Sequence, residues 1–324
     1  MEEIMKKLVV LLVAFAAIVG MTCGSWAADY PTKPITFVVP YSAGGSSDQL
    51  VRGMQPYLET AMNATLVPKN ITGGGGAVGM SEALFSSKAD GYTVTLPSNA
   101  VYGLEGLGNV PWKHGDFDTV ARIITEDYSI TFRADAPWNT LDEFIEYVKA
   151  NPGTVKMGFS GFGSSTHIVA AAFAQKFGLE FSFVPYQGGS KTVAATMGGH
   201  IDANTHHPAE TKAGVDAGKL RVLATMGPER SSLYPDVPTM KELGHDWVVS
   251  QWRGVAMPKG VPDEVKKVWE DALKKVCADA EFQKFITERM GGTVAPLFGN
   301  ELDEFLNQMA DVFITTAQNL QKDK

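Results

Sequence analysis

The chain has 324 residues, a formal net charge of −8 at pH 7, 44% hydrophobic residues and 20% charged residues. This composition is that of a folded globular protein, and the length predicts about two domains of roughly 100 to 200 residues each. An acidic chain without a basic patch is poorly suited to nucleic acid or to anionic lipid surfaces, so we expect neither as a partner.

The N-terminus has the pattern of an export signal. Lys6 and Lys7 precede an unbroken apolar run over 8–19, and small residues follow up to Ala28. This order is typical of a secretory signal peptide, and the run is shorter than the roughly 20 residues of a membrane-spanning helix. We therefore predict a signal peptide over 1–28, cleaved after either of its last two alanines, and a mature protein in the periplasm.

The two cysteines lead to two further expectations. Cys23 allows an alternative in which the protein is a lipoprotein anchored by an acylated cysteine, but residues 20–22 fit the recognition sequence of that modification poorly. Once the leader is removed only Cys277 remains, so no disulfide can form within the chain and stability must come from the core.

Short β-type runs alternate with helical patterns along the chain. In order, they are ITFVV, a helical spacing over 50–58, ATLVP, the helical segment VGMSEALF and YTVTL. Strands that alternate with helices predict a parallel, doubly wound α/β sheet. The alternation restarts after residue 130 with a helix over 141–148, VKMGF, a helix over 165–177, FSFVPY, HIDAN and LRVLATM. This restart predicts a second sheet of the same kind.

The last part of the chain is mostly helical and supplies too few strands for a domain of its own. Apolar residues recur at helical spacing over 265–276, and 301–317 is a second amphipathic stretch. The economical arrangement is two doubly wound α/β lobes joined by two crossover segments, with a hinge and a cleft. We predict lobe I over 29–124 plus 252–324 and lobe II over 125–251.

Two loops rich in glycine and serine, YSAGGSSD at 41–48 and SGFGSSTH at 160–167, each lie between a strand pattern and a helix pattern. Ligands of open α/β sheets bind at this position, and the first N–H groups of a helix bind anions without a cationic side chain. The loops therefore predict a ligand with an anionic group at each end, held by neutral dipoles. The alternative is that both loops are tight turns in which serine caps the helix.

Three other patterns are weaker. GGGAVG at 74–79 satisfies the dinucleotide fingerprint, but it follows the second strand and lacks the acidic residue about 20 positions later, so we favour a tight turn. GFSGF around Ser160 lacks the final glycine of a hydrolase nucleophile elbow. His206 and His207 suggest a metal site, but neighbours in a strand point to opposite faces. We expect one ring in the cleft and the other away from it, with no metal and no cofactor.

Longer motifs resemble one family over nearly the whole mature chain. They are YPTKPITFVVPYSAGGSSD, ADGYTV, GFGSSTH, VPYQGG, GKLRVLAT, YPDVPTMKELG and GVAMPKGVPDEV. In these segments the chain resembles the substrate-binding proteins of tripartite tricarboxylate transporters, also called the Bug family. The resemblance implies a fold like that of type II periplasmic binding proteins, in which two lobes close like a Venus flytrap over a small carboxylated ligand.

The resemblance also implies a set of ligand-binding residues, because family members hold carboxylates with backbone groups, hydroxyls and ordered water from these two loops. The matching positions are Ser42, Gly44, Gly45, Ser46 and Asp48 on lobe I, and Ser160, Gly163, Ser164, Ser165, Thr166 and His167 on lobe II. We expect Asp48 to orient loop amides, to accept a hydrogen bond from the ligand, or to cap the helix.

The chain departs from the family pattern where specificity would be set. PSNAVYGLEGLGNV follows YTVTL, which makes Asn99 and Tyr102 candidates for additional contacts. Thr205 and His206 could add a hydrogen bond or a titratable partner for a carboxylate. Lys191 could supply one cation or remain a solvated surface residue.

Together these features predict a monomeric solute-binding receptor without catalytic residues. Its expected partners are a small organic acid, either a di- or tricarboxylate or a related compound, and the permease subunits of a tripartite tricarboxylate transporter. Two alternatives stay open. One is a periplasmic enzyme that acts on a carboxylate or an ester, and the other is a ligand-sensing receptor that signals to a sensor kinase.

Overall fold

The computed structural model of the protein describes residues 30–322. The predicted signal peptide and the lipoprotein alternative at Cys23 lie outside the described residues.

Strands and helices alternate along the described chain, as the sequence patterns predict. The strands are β1 (Ile35–Val39), β2 (Leu66–Asn70), β3 (Thr93–Thr95), β4 (Phe117–Asp127), β5 (Ser129–Arg133), β6 (Lys156–Phe159), β7 (Ser182–Pro185), β8 (Ala203–His206), β9 (Leu220–Thr225), β10 (Ser250–Pro258) and β11 (Gly292–Leu297). The α-helices are α1 (Ser46–Met62), α2 (Ala77–Phe85), α3 (Ala100–Gly106), α4 (Leu141–Ala150), α5 (Ser165–Phe177), α6 (Gly189–Met197), α7 (Pro208–Asp216), α8 (Asp263–Ala278), α9 (Ala280–Phe285) and α10 (Gly299–Lys322). Short 3-10 segments cover Gly74–Gly76 and His114–Asp116, and a π-helical segment covers Ile286–Met290.

The strands form two separate sheets. The first has the order β11-β4-β10-β3-β1-β2 and the second has the order β7-β6-β8-β5-β9. We call the first sheet with its helices lobe I and the second sheet with its helices lobe II. Both sheets are mixed rather than purely parallel, because β10 runs antiparallel to β3 and β4, and β5 runs antiparallel to β8 and β9. β11 also runs antiparallel to β4, whereas β5 and β10 are the strands that carry the chain into and out of lobe II.

The two connections between the lobes lie side by side. Tyr128 alone separates β4 from β5, and the chain returns through 226–249 to β10, which pairs along the length of β4. The buried Tyr128 hydroxyl donates a hydrogen bond of 2.7 Å to Gln251 Oε1 and so ties the two connections together. The chain changes sheets within a few residues of the predicted lobe boundaries, which themselves stay a prediction.

The packing of α1 explains how its N-terminus reaches the cleft. Its apolar residues recur three and four positions apart, so that one face is buried against the sheet. On that face Leu50, Met54 and Leu58 join a core that includes Phe37 of β1 and Trp269 of α8. The helix therefore begins at the carboxyl end of β1. The helix predicted over 165–177 is observed as α5, and it starts beyond the carboxyl end of β6 in the same way.

The C-terminal helix α10 packs on α3. Phe313 and Ala317 are buried with Tyr102 in one apolar cluster, and a Cβ added at Gly106 would lie 2.7 Å from the Ala317 methyl group. A search of residues 30–322 finds no helix with both the length and the apolar character needed to cross a membrane.

Candidate functional site

A small cavity lies between the lobes, where the loop after β1 meets the loop after β6. Its volume is about 20 Å³, which is room for about one water molecule. The lining residues are Tyr41, Gly45, Ser46, Ser47, Ser160, Ser164, Ser165, Thr166, Gly189, His206, His207, Glu210, Gln251 and Arg253. A wider space of about 450 Å³ adjoins it at Tyr41 and Ser160 and extends past the glycines of 73–76.

Half of the residues predicted to bind ligand line this cavity, six of them from the two loops and one from the end of β8. They are Gly45, Ser46, Ser160, Ser164, Ser165, Thr166 and His206. The loops therefore face each other across the gap between the lobes.

The first turns of α1 and α5 form two walls of the cavity. Amides in a first turn have no acceptor within their own helix and carry a positive partial charge. The cap of α1 is Gly45, which offers no side chain, whereas Ser164 caps α5 by accepting a hydrogen bond of 3.2 Å from the His167 amide. The alternative of a serine-capped turn therefore describes α5 but not α1.

The other predicted residues are not part of the cavity lining. They are Ser42, Gly44, Asp48, Asn99, Gly163, His167 and Thr205.

Ser42 joins the lobes at the edge of the cavity. Its Oγ lies 2.8 Å from Ser190 Oγ, and its amide donates a hydrogen bond of 3.2 Å to the Gln187 carbonyl. Ser190 Oγ in turn lies 2.9 Å from the Ala43 carbonyl, to which it donates a hydrogen bond. These contacts hold the loop of lobe I against the start of α6.

Asp48 holds the first loop from behind. It accepts hydrogen bonds from the Gly44 amide at 2.9 Å, from Arg52 Nε at 3.0 Å and from Asn70 Nδ2 at 3.0 Å. Burial by itself would raise the pKa of Asp48, but the hydrogen bonds from Arg52, Gly44 and Asn70 lower it below its usual value. Asp48 is therefore ionised and orients the loop, which is the first of the three roles that the sequence allowed.

Gly163, His167 and Thr205 shape the first turn of α5. The Gly163 amide donates a hydrogen bond of 3.3 Å to His167 Nδ1, and the His167 ring packs on Phe159 with 4.6 Å between the ring centres. Thr205 Oγ1 donates a hydrogen bond of 2.9 Å to the Thr166 carbonyl. The His167 and Thr205 side chains thus support the cavity wall.

The three remaining candidates are away from the cavity. Asn99 Nδ2 donates a hydrogen bond of 3.0 Å to the Ser250 carbonyl beside the second connection. Tyr102 is buried in the core of lobe I. Lys191 is exposed and donates a hydrogen bond of 2.6 Å to Gln187 Oε1, which fits the interpretation as a surface residue.

The structure adds a buried ion pair that sequence reasoning missed. Arg253 on β10 pairs with Glu126 on β4, and the two residues are 3% and 1% exposed. Arg253 Nη1 also donates to Ser47 Oγ at 2.7 Å, and Ser46 Oγ donates to the Glu126 carboxylate at 2.7 and 2.9 Å. The cavity wall therefore carries a fixed ion pair beside the neutral donors, and the expectation that neutral dipoles hold the acid stays a prediction. A lone arginine within the apolar stretch SQWRGVAM was the available signal.

Glu210 of α7 is the second missed residue. Its Oε1 accepts a hydrogen bond of 2.8 Å from the Ser46 amide at the start of α1, and its Oε2 lies 2.8 Å from His206 Nδ1. Burial alone would raise the pKa of Glu210, but the charge and hydrogen bond of His206 lower it well below its usual value. An ionised carboxylate of lobe II therefore occupies the N-terminus of the lobe I helix.

The prediction that one of the two adjacent histidines faces away from the cleft is wrong. Both rings line the cavity, because β8 ends at His206 and His207 already caps α7, where strand alternation no longer applies. His207 Nδ1 lies 3.0 Å from the Asp127 carbonyl, and its Nε2 lies 3.6 Å from Glu126 Oε1. Burial lowers the pKa of His207, against the opposing effect of Glu126, and so favours a neutral ring.

Gln251 connects the hinge with the second loop. It accepts from the Tyr128 hydroxyl and donates a hydrogen bond of 2.9 Å through Nε2 to Ser165 Oγ in the first turn of α5. A change in the angle between the lobes would therefore directly change the position of Ser165 in the cavity wall. Within residues 30–322, no group of three or more His, Cys, Asp or Glu side chains is arranged so that it could hold a metal ion.

Comparison with known proteins identifies the family. The model of the tripartite tricarboxylate transporter family receptor (TctC) matches residues 50–308. A UPF0065 protein from the gbd 5′ region of Cupriavidus necator is 32% identical over 263 residues, covering 81% of this chain and 80% of that protein. The periplasmic binding protein BugD has a TM-score of 0.85 at 25% identity, and the R. palustris protein Rpa4515, solved with adipate, has a TM-score of 0.85 at 22% identity. Each covers 90% of this chain and 99% of its own. The chain therefore belongs to the tripartite tricarboxylate transporter receptor family.

Proposed function

We propose that the protein is an extracytoplasmic solute receptor that captures a small carboxylate between its lobes. It then delivers the acid to the permease subunits of a tripartite tricarboxylate-type membrane transporter. On this proposal the mature protein works in the periplasm as a monomer, after its signal peptide has been cleaved.

The observation that carries the proposal is the cavity between the lobes. The first turns of α1 and α5 line it from opposite lobes, and hydroxyls of Ser46, Ser160 and Thr166 belong to its wall. Helix N-termini and hydroxyls are donors that suit an oxyanion. Membership of the receptor family and the adipate bound by Rpa4515 support a carboxylate as the ligand.

The donors can supply enough free energy for useful affinity. A hydrogen bond to a charged group contributes roughly 1.5 to 3 kcal/mol. Four or five such bonds, less the cost of ordering ligand and lobes, reach about −8 kcal/mol, which corresponds to micromolar binding.

The geometry supports a binding protein rather than an enzyme. A serine hydrolase needs a base beside its nucleophile and a third group that orients the base. His167, the histidine closest in sequence to the loop serines, accepts from the Gly163 amide and packs on Phe159. Its ring therefore packs in an aromatic cluster with Phe159, Phe162 and Phe183.

A thermal-shift screen tests the proposal. The panel contains adipate, succinate, citrate, glutamate and benzoate, with glucose, ATP and magnesium chloride as controls. Binding to the folded state raises the apparent melting temperature by mass action. We expect stabilisation by at least one acid and none by the controls. Stabilisation by the controls alone would contradict a carboxylate receptor, and co-purification with a sensor kinase instead of permease subunits would redirect the output to signalling.

A further inference from the structure

His206 presents an unused nitrogen to the cavity. The residue is 1% exposed, its ring lines the cavity, and Nδ1 is engaged with Glu210 at 2.8 Å. The other ring nitrogen, Nε2, is buried and has no hydrogen-bond partner among the described residues. Because buried polar groups in native proteins are almost always paired, this nitrogen points to a ligand group.

Glu210 fixes the state of the ring. Its carboxylate accepts from the Ser46 amide and is held in its ionised form, so the nitrogen of His206 that faces it must carry the proton. Nε2 is then a hydrogen-bond acceptor when the ring is neutral and a donor when the ring is protonated. Only the protonated ring can bind a carboxylate through Nε2.

Two glycines make room for this arrangement. A Cβ added at Gly189 would lie 1.9 Å from Glu210 Oε1, and one added at Gly45 would lie 3.2 Å from the same atom. Any larger residue at position 189 would displace the carboxylate. The Glu210 carboxylate therefore occupies the space that these two glycines leave open. It is the anion bound at the N-terminus of α1 in this structure.

The charges around His206 favour a cationic ring once an acid enters. The charged and titratable groups that face it and Glu210 are Tyr41 after β1, Glu126 and Asp127 of β4, His207 before α7 and Arg253 of β10. With both imidazoles neutral and the three carboxylates ionised, Glu126, Asp127, Glu210 and Arg253 sum to two negative charges. A carboxylate added to that set would be an unpaired buried anion, which a protonated His206 relieves.

We propose that His206 receives the carboxylate of the ligand as an imidazolium, through Nε2–H, together with the first turn of α5. Glu210 acts as the positioning residue that orients the ring and supplies its counter-charge. This inference rests on the proposed function and narrows it. It assigns the acid to α5 and His206 rather than to both helix termini, and it requires binding to take up about one proton at a pH where the ring of the free protein is neutral.

Isothermal titration calorimetry tests the proposal. The probe is adipate, or the panel acid with the largest thermal shift, titrated at a series of pH values from about 6 to about 9. Titrations in Hepes and in Tris, which differ in ionisation enthalpy, give the number of protons taken up. For the wild type we expect proton uptake that increases with pH towards one proton per ligand. For His206→Gln, which keeps an N–H donor but cannot titrate, we expect close to none, with affinity lowered at least tenfold.

The Glu210→Gln variant tests the positioning residue. It should lower proton uptake and weaken binding by about tenfold, because the imidazolium loses its counter-charge. Exposed His200→Gln and Glu146→Gln are the matched controls and should behave as the wild type. Far-UV circular dichroism and the melting temperature establish that each variant is folded before titration.

The outcomes separate the two proposals. A wild type that binds an acid without proton uptake, or a His206→Gln variant with unchanged affinity, overturns this inference and leaves the proposed function intact. If no acid of the panel binds the wild type, the proposed function fails and the inference fails with it.

Discussion

The Ser46 amide in lobe I donates a hydrogen bond of 2.8 Å to the Glu210 carboxylate in lobe II, across 164 positions of sequence. The first turn of α1 is the part of lobe I that the sequence predicted to bind an anion. Its anion in this structure is supplied by the opposite lobe. Residues of both lobes therefore build one site that contains fixed charges.

We predict that Gly45→Val weakens acid binding at least tenfold with little loss of stability. The added Cβ would lie 3.2 Å from both Glu210 Oε1 and the Ser42 carbonyl, so the branched side chain would push the lobes apart at the cavity. Affinity by calorimetry and the melting temperature provide the check. Gly115→Val is the control, because nothing lies within 4 Å of a Cβ added at Gly115. Unchanged affinity in the Gly45 variant would place the ligand elsewhere.

We predict that Arg253→Met lowers the free energy of unfolding by about 3–5 kcal/mol, since it leaves the Glu126 carboxylate buried without its partner. The double variant with Glu126→Gln should recover most of that loss, because no buried charge then remains unpaired. Chemical denaturation measures both. Arg230→Ala breaks an exposed pair with Glu242 and should cost less than about 1 kcal/mol. A double variant as unstable as the single one would contradict the explanation.

We predict that Asp127→Asn stabilises the protein at neutral pH. Burial raises the pKa of Asp127 to about 6 from 3.8, with Glu126 adding to the effect and the Ser250 hydrogen bond opposing it. A raised folded pKa gives stability that is fully present below the unfolded value and is lost as the pH rises through about 6. A shift of about two units corresponds to about 2–3 kcal/mol.

The pH dependence of this variant supplies the check. Asp127→Asn should exceed the wild type in free energy of unfolding at about pH 7 and match it near pH 4. Glu210 has a lowered pKa, so the stability that it contributes is lost as the pH falls. This contribution is the same in the wild type and in Asp127→Asn. The difference between the two curves therefore reports Asp127 alone. A difference that does not vary with pH would contradict the assignment.

The order of elements could be predicted from the sequence because it depends on local periodicity. Apolar spacing along α1 and α5 and the short β-type runs that precede them place two helix N-termini at the carboxyl ends of strands. Glycine and serine at 41–48 and 160–167 then identify the loops without any long-range information. The strand predicted from HIDAN at 200–204 shows how far local patterns locate an element. The observed strand, β8, covers Ala203–His206, so the first three residues of the motif belong to the turn before it.

The charged part of the site could not be predicted in the same way. Glu126 and Arg253 are 127 positions apart, and each stands in a strand where no motif marks it. Glu210 lies one turn after the strand of His206, and its contact with Ser46 depends on how the lobes meet. Local patterns carry no information on that contact, so the sequence indicated the donors of the site but not its fixed charges.

The measurement that tests the central claim most directly is a crystal structure of the protein with the panel acid that stabilises it most. We predict a carboxylate between the lobes, with its oxygens within hydrogen-bond distance of the first-turn amides of α5 and of His206 Nε2, and with Glu210 still bound to the Ser46 amide. An acid bound outside the cleft, or one held chiefly by surface lysines such as Lys191, would contradict the account.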